Sequence, residues 1–147
     1  MVNIALVGCN GKMGKAVTSA VQSRNDCEIV FGADPFGTPA YDYPVFESLA
    51  VSDKKADVII DFSNPASLDD ILAYALEKKI PCVLCTTGYS PEQVEKIKKA
   101  SESVAVFYSG NMSLGINLLI ELSKEAAKIL SAADFDIEIC LLYTSPS

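Results

Sequence analysis

The stretch that decides the fold is residues 2–14, Val2-Asn3-Ile4-Ala5-Leu6-Val7-Gly8-Cys9-Asn10-Gly11-Lys12-Met13-Gly14. An apolar run of strand length leads directly into a G-x-x-G-x-x-G loop. Helical periodicity follows, and its predicted inner face consists of Met13, Ala16, Val17, Ala20 and Val21. A strand, a glycine turn and a helix N-terminus in this order predict a cradle for the pyrophosphate of a dinucleotide, because glycines let backbone N–H groups approach phosphate closely.

An acidic residue in the next strand supports this interpretation. Asp34 follows the apolar run 28–33 and lies 20 residues after Gly14. At that separation an acidic side chain meets the adenosine ribose hydroxyls of a bound dinucleotide. Taken singly, the glycines could form a tight turn without a ligand, and Asp34 could be an ordinary turn residue before Pro35. Their combination in one strand–helix–strand unit favours dinucleotide binding.

Composition excludes several classes of protein. The chain has 147 residues, half of them hydrophobic, which suffices for a domain with a real core. No apolar run approaches the roughly 20 residues of a membrane span, and the first residues resemble no secretion signal, so we expect a cytoplasmic protein that acts away from membranes. The net charge of −7 argues against a nucleic-acid partner. The absence of histidine removes imidazole chemistry and histidine metal sites, and we expect no metal.

The five cysteines are an odd number, typical of free cytosolic thiols. Cys82 and Cys85 match C-x-x-C, but the motif lies in an apolar strand that should direct the two side chains to opposite faces. Small buried hydrophobic side chains are therefore favoured over a redox or metal motif.

Apolar runs and helical patterns alternate along the chain, which predicts a Rossmann-like, doubly wound parallel sheet with helices on both faces. Further strands are predicted at 57–62, 80–85 and 104–108. Helices are predicted after Asn64, after a capping box at Ser90-Pro91-Glu92-Gln93, and over 114–130. The predicted inner face of the first of these three helices consists of Leu68, Ile71, Leu72, Ala75 and Leu76.

The stretch 135–139 alternates apolar and acidic residues, which predicts a half-exposed antiparallel or edge strand. We therefore expect a nucleotide-binding Rossmann domain over 1–131. Residues 132–147 would hold the first strand of a truncated second α+β substrate domain and a tail. The segment 140–147 resembles translated adapter sequence at the end of an incomplete gene, the alternative being a genuine short tail.

Polar and small residues follow four of the predicted strands, at the sheet edge where doubly wound folds bind ligands. These loops are 8–14, 61–65, 85–89 and 109–113. Each taken singly is compatible with turn and cap chemistry. Four on one edge favour a binding site.

The motifs resemble those of the N-terminal half of the dihydrodipicolinate (4-hydroxy-tetrahydrodipicolinate) reductase family of lysine and diaminopimelate biosynthesis. The matching elements are the loop 8–14, Asp61-Phe62-Ser63-Asn64-Pro65, Thr86-Thr87-Gly88 and Asn111-Met112-Ser113-Leu114-Gly115-Ile116-Asn117. The resemblance extends over nearly all of 1–139, and the 111–117 element discriminates best. It implies an NAD(P)H-dependent oxidoreductase that reduces a cyclic dicarboxylate by hydride transfer and assembles as a homotetramer.

The resemblance also implies roles for individual residues. Gly8, Cys9, Asn10, Gly11, Lys12 and Met13 would hold the pyrophosphate, and Asp34 the adenosine ribose. Phe62, Cys85, Thr86 and Thr87 would flank the nicotinamide, and Ser109, Gly110, Asn111 and Met112 would meet its carboxamide. Pro35 stands where an arginine could bind a 2′-phosphate, so NADH is favoured over NADPH, although Lys12 could partly compensate in place of the family's usual arginine.

The family's substrate-binding motifs do not follow the 135–139 stretch. A glutamate–histidine pair, a lysine and an Asp-Ala-Pro-Ser-Gly-Thr-type loop are expected there and are not found. We therefore expect no catalytic residue in this chain and no activity from it alone. Two alternatives remain: a free-standing NAD(H)-binding sensor or partner module, and the N-terminal domain of another small dehydrogenase, such as an aspartate or homoserine dehydrogenase.

Overall fold

A computed structural model describes residues 1–36, 41–133 and 135–140, and divides the chain into two compact units, Met1–Gly110 and Asn111–Ser147. The strands of the first unit are β1 (Val2–Val7), β2 (Cys27–Ala33), β3 (Val45–Phe46), β4 (Val58–Asp61), β5 (Cys82–Leu84) and β6 (Val106–Tyr108). Its helices are α1 (Lys12–Gln22), α2 (Leu68–Lys78) and α3 (Pro91–Ser101). The second unit contains α4 (Leu114–Ala132).

The six strands form one parallel sheet in the order β3-β2-β1-β4-β5-β6, which confirms the predicted Rossmann-like fold. From β1 the chain proceeds through α1 to β2 on one side, and from β4 through α2 to β5 on the other. Right-handed crossovers in these opposite directions place α1 on one face and α2 on the other. The loops after β1 and β4 therefore diverge, and the crevice between them is where folds of this class bind nucleotides.

The central strands are apolar on both faces because helices cover both sides of a parallel sheet. Leu6, Ile59 and Leu84, from β1, β4 and β5, are fully buried. Phe31 of β2 is also fully buried and packs edge-on against Phe46 of β3, with ring centroids 6.0 Å apart. This core holds the carboxyl ends of the strands in one row.

The caps of two helices follow the predicted pattern. The Asn64 side chain accepts a hydrogen bond from the Ala66 N–H at 2.9 Å, in a 3-10 turn that leads into α2. Ser90 and Gln93 form the predicted capping box of α3, in which each side chain accepts from the other residue's backbone N–H. Each cap lies in the connection between a strand and the next helix, three residues after β4 for Asn64 and six after β5 for Ser90, so the caps help to fix the direction of the two loops.

Two predicted helix faces need correction. In α1 the buried residues are Gly14 and Thr18, whereas Met13, Ala16 and Ala20 are exposed. Small residues face inward because this helix lies against the backbone of the preceding loop, where larger side chains do not fit. In α2 the inner face is as predicted except that Leu76 is 40% exposed and Tyr74 is buried instead.

In the second unit, α4 covers the helix predicted over 114–130. The strand predicted over 135–139 is wrong for this structure, since residues 135–140 have no regular secondary structure and are exposed. A strand needs a hydrogen-bonding neighbour, and alternation of residue types alone does not supply one. Residues 141–147 lie outside the described part, and the domain boundary at 131 stays a prediction. No helix in the described ranges is long and apolar enough to cross a bilayer.

Candidate nucleotide-binding site

The glycine loop joins β1 to α1 at the point where the sheet reverses its winding. Gly8 has a φ of +75°, and a Cβ there would lie 2.6 Å from the Phe62 carbonyl oxygen. The loop after β1 therefore touches the backbone of the loop after β4. Only glycine combines this backbone conformation with so close an approach.

Gly14 permits a second close approach, between α1 and its own entry loop. A Cβ on Gly14 would lie 2.3 Å from the Gly8 carbonyl oxygen and 2.6 Å from the Cys9 Cα. Gly11 is the N-cap residue of α1, which has no side-chain cap and no acidic residue in its first turn. Its positive end and its first N–H groups are therefore available to an anion.

Asp34, which was predicted to meet the adenosine ribose, lies beside this loop. Its Oδ2 accepts a hydrogen bond from the Asn10 N–H at 3.0 Å, and its Oδ1 accepts one from the Phe36 N–H at 2.9 Å. The carboxylate thus links the end of β2 to the glycine loop. A cleft of about 390 Å³ opens next to it. Its lining includes Gly8, Gly11, Asp34, Glu47, Phe62 and Asp70.

Two tyrosines support the loop from behind, and sequence reasoning missed both. The Tyr41 hydroxyl donates to the Cys9 carbonyl oxygen at 2.8 Å, and the Tyr41 ring stacks on Tyr43 with centroids 4.8 Å apart. The Tyr43 hydroxyl is 2.8 Å from Thr18 Oγ1, which donates to the Gly14 carbonyl oxygen. Burial raises the pKa of Tyr43 to about 12, so its hydroxyl stays protonated. The sequence feature that could have indicated these two tyrosines is their spacing of two positions in a proline-rich loop.

Cys9 fills the space between the glycine loop and β2. Its side chain is fully buried, and a Cβ on Gly32 would lie 2.6 Å from its Sγ. Burial, with the nearby Asp34 charge, raises the pKa of the Cys9 thiol to about 11. The thiol is therefore neutral at physiological pH and acts as a packing group.

This contact makes a prediction about Gly32. Gly32→Ala is expected to lower the free energy of unfolding by about 1–3 kcal/mol, because the new methyl group overlaps the Cys9 sulfur. In the double variant with Cys9→Ala the sulfur is gone, so the loss should be smaller than the sum of the two single losses. Urea unfolding of the four proteins measures this coupling. Strict additivity would show that the strain at Gly32 comes from another neighbour, such as Tyr43.

A buried carboxylate occupies the next strand end. Asp61 closes β4 with no exposed surface, and its Oδ1 accepts hydrogen bonds from the Ser63 N–H and hydroxyl. Its Oδ2 accepts from the Tyr89 hydroxyl at 3.1 Å. Burial and the Asp61 charge raise the pKa of Tyr89. Asp61 was predicted at the end of a strand and the start of a loop, and its bond to Tyr89, which ties the loop after β4 to the loop after β5, was not foreseen.

The loop after β5 places Cys85 and Thr86 inside and Thr87 outside. Thr86 Oγ1 is buried and forms no hydrogen bond of good geometry within the described part of the chain, although it lies close enough to the Tyr89 hydroxyl to act against the rise of the Tyr89 pKa. A buried hydroxyl without a partner is unusual and is consistent with a group that a ligand completes. Gly110, after β6, lies near Thr87, since a Cβ on Gly110 would be 3.9 Å from Thr87 Cγ2.

The structure therefore brings most of the predicted site residues to one edge of the sheet. Those in the first unit follow the carboxyl ends of five strands. They are Gly8, Cys9, Asn10, Gly11, Lys12, Met13, Asp34, Phe62, Cys85, Thr86, Thr87, Ser109 and Gly110. Asn111 and Met112 belong to the second unit, so their contribution stays a prediction. In the described ranges no group of three or more His, Cys, Asp or Glu side chains could hold a metal ion.

The arrangement fits a dinucleotide. Gly8 and Gly14 allow backbone approaches that a Cβ would block, and an uncapped helix N-terminus adjoins this loop. The Asp34 carboxylate accepts from the Asn10 N–H, and among the described residues the buried Thr86 hydroxyl has no hydrogen-bond partner. Each feature matches one part of such a ligand, from the pyrophosphate to the far ring.

Comparison with known proteins points to one family. The family model "Dihydrodipicolinate reductase, N-terminus" matches residues 2–112. A 4-hydroxy-tetrahydrodipicolinate reductase from Clostridium tetani is 50% identical over 139 residues, covering 95% of this chain and 54% of that protein. One from Rickettsia rickettsii is 40% identical over the same length and covers the same shares. The chain thus spans about half the length of the curated relatives it matches.

Solved structures agree with these matches. A dipicolinate-bound dihydrodipicolinate reductase from Paenisporosarcina sp. TG-14 superposes with a TM-score of 0.74 at 25% identity, over 86% of this chain and 54% of that one. A myo-inositol dehydrogenase from Corynebacterium glutamicum superposes with a TM-score of 0.58 at 23% identity, over 88% and 42% of the two chains. The second similarity concerns the fold alone.

Proposed function

Because the chain belongs to the dihydrodipicolinate reductase family, we propose that it is the pyridine-nucleotide-binding half of a 4-hydroxy-tetrahydrodipicolinate reductase. The observation that carries this proposal is the glycine cradle, which lies within the family match and opens at the reversal point of the sheet. The chain would be an oxidoreductase component of lysine and diaminopimelate biosynthesis in the cytoplasm.

The proposed reaction consumes NAD(P)H, one proton and 4-hydroxy-tetrahydrodipicolinate, and yields tetrahydrodipicolinate, NAD(P)⁺ and water. When bound, the dihydronicotinamide supplies the hydride. This chain's residues would bind and orient the nucleotide. The groups that grip the dicarboxylate and deliver the proton are not assigned to any residue here, so the chain alone is expected to be inactive. Homotetramer assembly is proposed for the family's whole protein only.

The geometry supports a role for each part of the sheet edge. The backbone of 8–13 would hold the pyrophosphate against the start of α1, and Asp34 would bind the adenosine ribose from its position beside Asn10. Phe62 and the 85–87 loop would enclose the nicotinamide, and the buried Thr86 hydroxyl, which has no hydrogen-bond partner among the described residues, would be available to it. By the resemblance to the family alone, residues 109–112 would meet the carboxamide through backbone groups.

The cleft next to Asp34 supports a preference for NADH. Its lining contains the carboxylates of Asp34, Glu47 and Asp70 and no lysine or arginine of the described ranges. A 2′-phosphate carries about two negative charges, so it would meet repulsion there without a basic partner. Ribose hydroxyls, by contrast, can donate hydrogen bonds to the Asp34 carboxylate.

Isothermal titration of the purified chain with NADH and NADPH tests the function. We expect both to bind, NADH at least tenfold more tightly, since a single repulsive charge at a partly buried site is worth about that much. Asp34→Asn should reduce this preference about tenfold by removing the repulsion and one ribose acceptor. Asp53→Asn, an exposed carboxylate outside the cleft, is the matched control and should leave the preference unchanged. A folded chain that bound neither nucleotide would overturn the proposed function, whereas tighter NADPH binding would overturn only the preference.

A further inference from the structure

The Asp61 carboxylate is unusual among the acidic groups of this chain. It is fully buried, it closes β4 between two of the loops that border the crevice, and hydroxyl and amide groups supply its three hydrogen bonds. None of the described lysines or arginines forms an ion pair with it. Burying a charge is costly, and hydrogen bonds without a counter-ion leave its negative potential in place.

That potential reaches the neighbouring strand end. Burial raises the pKa of the Cys82 and Cys85 thiols to about 11, and the negative charge of Asp61 contributes to both shifts by opposing a second negative charge. Cys85 immediately precedes Thr86, and Phe62 immediately follows Asp61. The Asp61 charge therefore acts at the strand end that precedes the 85–87 loop, and Asp61 itself adjoins Phe62, so it lies next to both segments proposed to enclose the nicotinamide.

We propose that the Asp61 charge raises the affinity of this site for the oxidised, cationic nicotinamide ring relative to its affinity for the neutral reduced ring. The inference rests on the proposed function, since it needs a pyridine nucleotide in the crevice. A potential that opposes a thiolate favours a positive charge at the same place. When a hydride leaves the reduced ring, the ring gains one positive charge, so Asp61 would stabilise the site during hydride donation without touching the reacting atoms.

A purely structural role for Asp61 makes a different prediction. Its hydrogen bonds to Ser63 and Tyr89 hold two loops together. Loosening those loops would weaken the binding of both redox forms of the nucleotide to the same degree. An electrostatic role changes the ratio of the two affinities. The ratio of the dissociation constants for NAD⁺ and NADH is thus the quantity to measure.

The test is isothermal titration of the wild-type chain and Asp61→Asn with NAD⁺ and NADH. We expect the NAD⁺-to-NADH ratio of dissociation constants to rise about tenfold in the variant, the size of effect that one partly screened charge produces. Asp69→Asn, which removes an exposed carboxylate in the first turn of α2, should leave the ratio unchanged. The inference would be overturned if Asp61→Asn weakened the binding of NAD⁺ and NADH equally, or if Asp69→Asn changed the ratio to a similar extent. Either result would leave the proposed function intact.

Tyr89→Phe provides a second test that keeps the charge. It removes one hydroxyl that donates to Asp61, so the carboxylate is less compensated and the ratio should move about twofold toward NAD⁺. If circular dichroism shows that Asp61→Asn is unfolded, the Tyr89→Phe variant decides. A shift of the ratio toward NAD⁺ in Tyr89→Phe supports the inference, and an unchanged or opposite ratio overturns it. A wild-type chain that is folded and binds neither nucleotide overturns the proposed function, and this inference with it.

Discussion

Replacing Gly14 by alanine is expected to lower the free energy of unfolding by about 3–4 kcal/mol and to remove measurable nucleotide binding. The new Cβ would lie 2.3 Å from the Gly8 carbonyl oxygen and 2.6 Å from the Cys9 Cα. These are backbone atoms of the phosphate loop, so no side-chain rotation can relieve the overlap. The start of α1 must move away from the loop, and the N–H groups that would hold the pyrophosphate move with it.

Urea unfolding and titration with NADH check this expectation. The matched control is Gly115→Ala in α4, where the nearest atom to a new Cβ is the Ser113 Oγ at 3.9 Å. Alanine is a better helix former than glycine by about 1 kcal/mol, so this variant should be neutral or slightly stabilising. A Gly14→Ala protein as stable as Gly115→Ala would show that α1 can shift without cost, contrary to the packing described above.

Leu68→Ala is expected to destabilise the chain by about 3 kcal/mol, with a range of 2–5 kcal/mol for buried leucines. Leu68 is fully buried at the start of α2, the helix that follows the loop after β4. Truncation leaves a cavity that the surrounding core closes only in part. Because Asp70 and Ile71, one turn along the same helix, line the cleft, a loosened α2 should also weaken NADH binding severalfold.

The same substitution eight residues later is the control. Leu76 lies on the same helix but is 40% exposed, so Leu76→Ala should cost less than about 1 kcal/mol. Both changes raise helix propensity equally, and the difference between them therefore measures burial alone. Guanidinium unfolding followed by circular dichroism gives both values. Equal losses of unfolding free energy in the two variants would mean that the exposed part of the Leu76 side chain is covered in solution.

Local pattern was enough for most of the sheet. Each of the strands β1, β4, β5 and β6 lies within a predicted apolar run, and the Ser90 capping box lies where the spacing of Ser90 and Gln93 put it. These features depend on near neighbours in sequence, which is why they can be predicted. The prediction for 135–139 was wrong for the opposite reason. A strand depends on a hydrogen-bonding partner at any distance along the chain, and the alternating pattern carries no information about that partner.

Helix faces were harder to predict at points of close backbone contact. The apolar side chains of Met13, Ala16 and Ala20 suggested the inner face of α1, but Gly14 and Thr18 are buried instead. Hydrophobicity predicts burial where side chains fill space. It fails where the helix backbone itself approaches another loop, because small residues are then required inside.

The sequence by itself determined the class of fold and the position of the dinucleotide cradle, since a strand, three spaced glycines and a helical pattern are recognisable in one short stretch of chain. Tertiary structure alone decided the support of that cradle. Tyr41 reaches the Cys9 carbonyl oxygen across 32 positions, and Tyr89 reaches Asp61 across 28. Such hydrogen bonds follow from where the sheet order places distant loops, and no local pattern in the sequence encodes that placement.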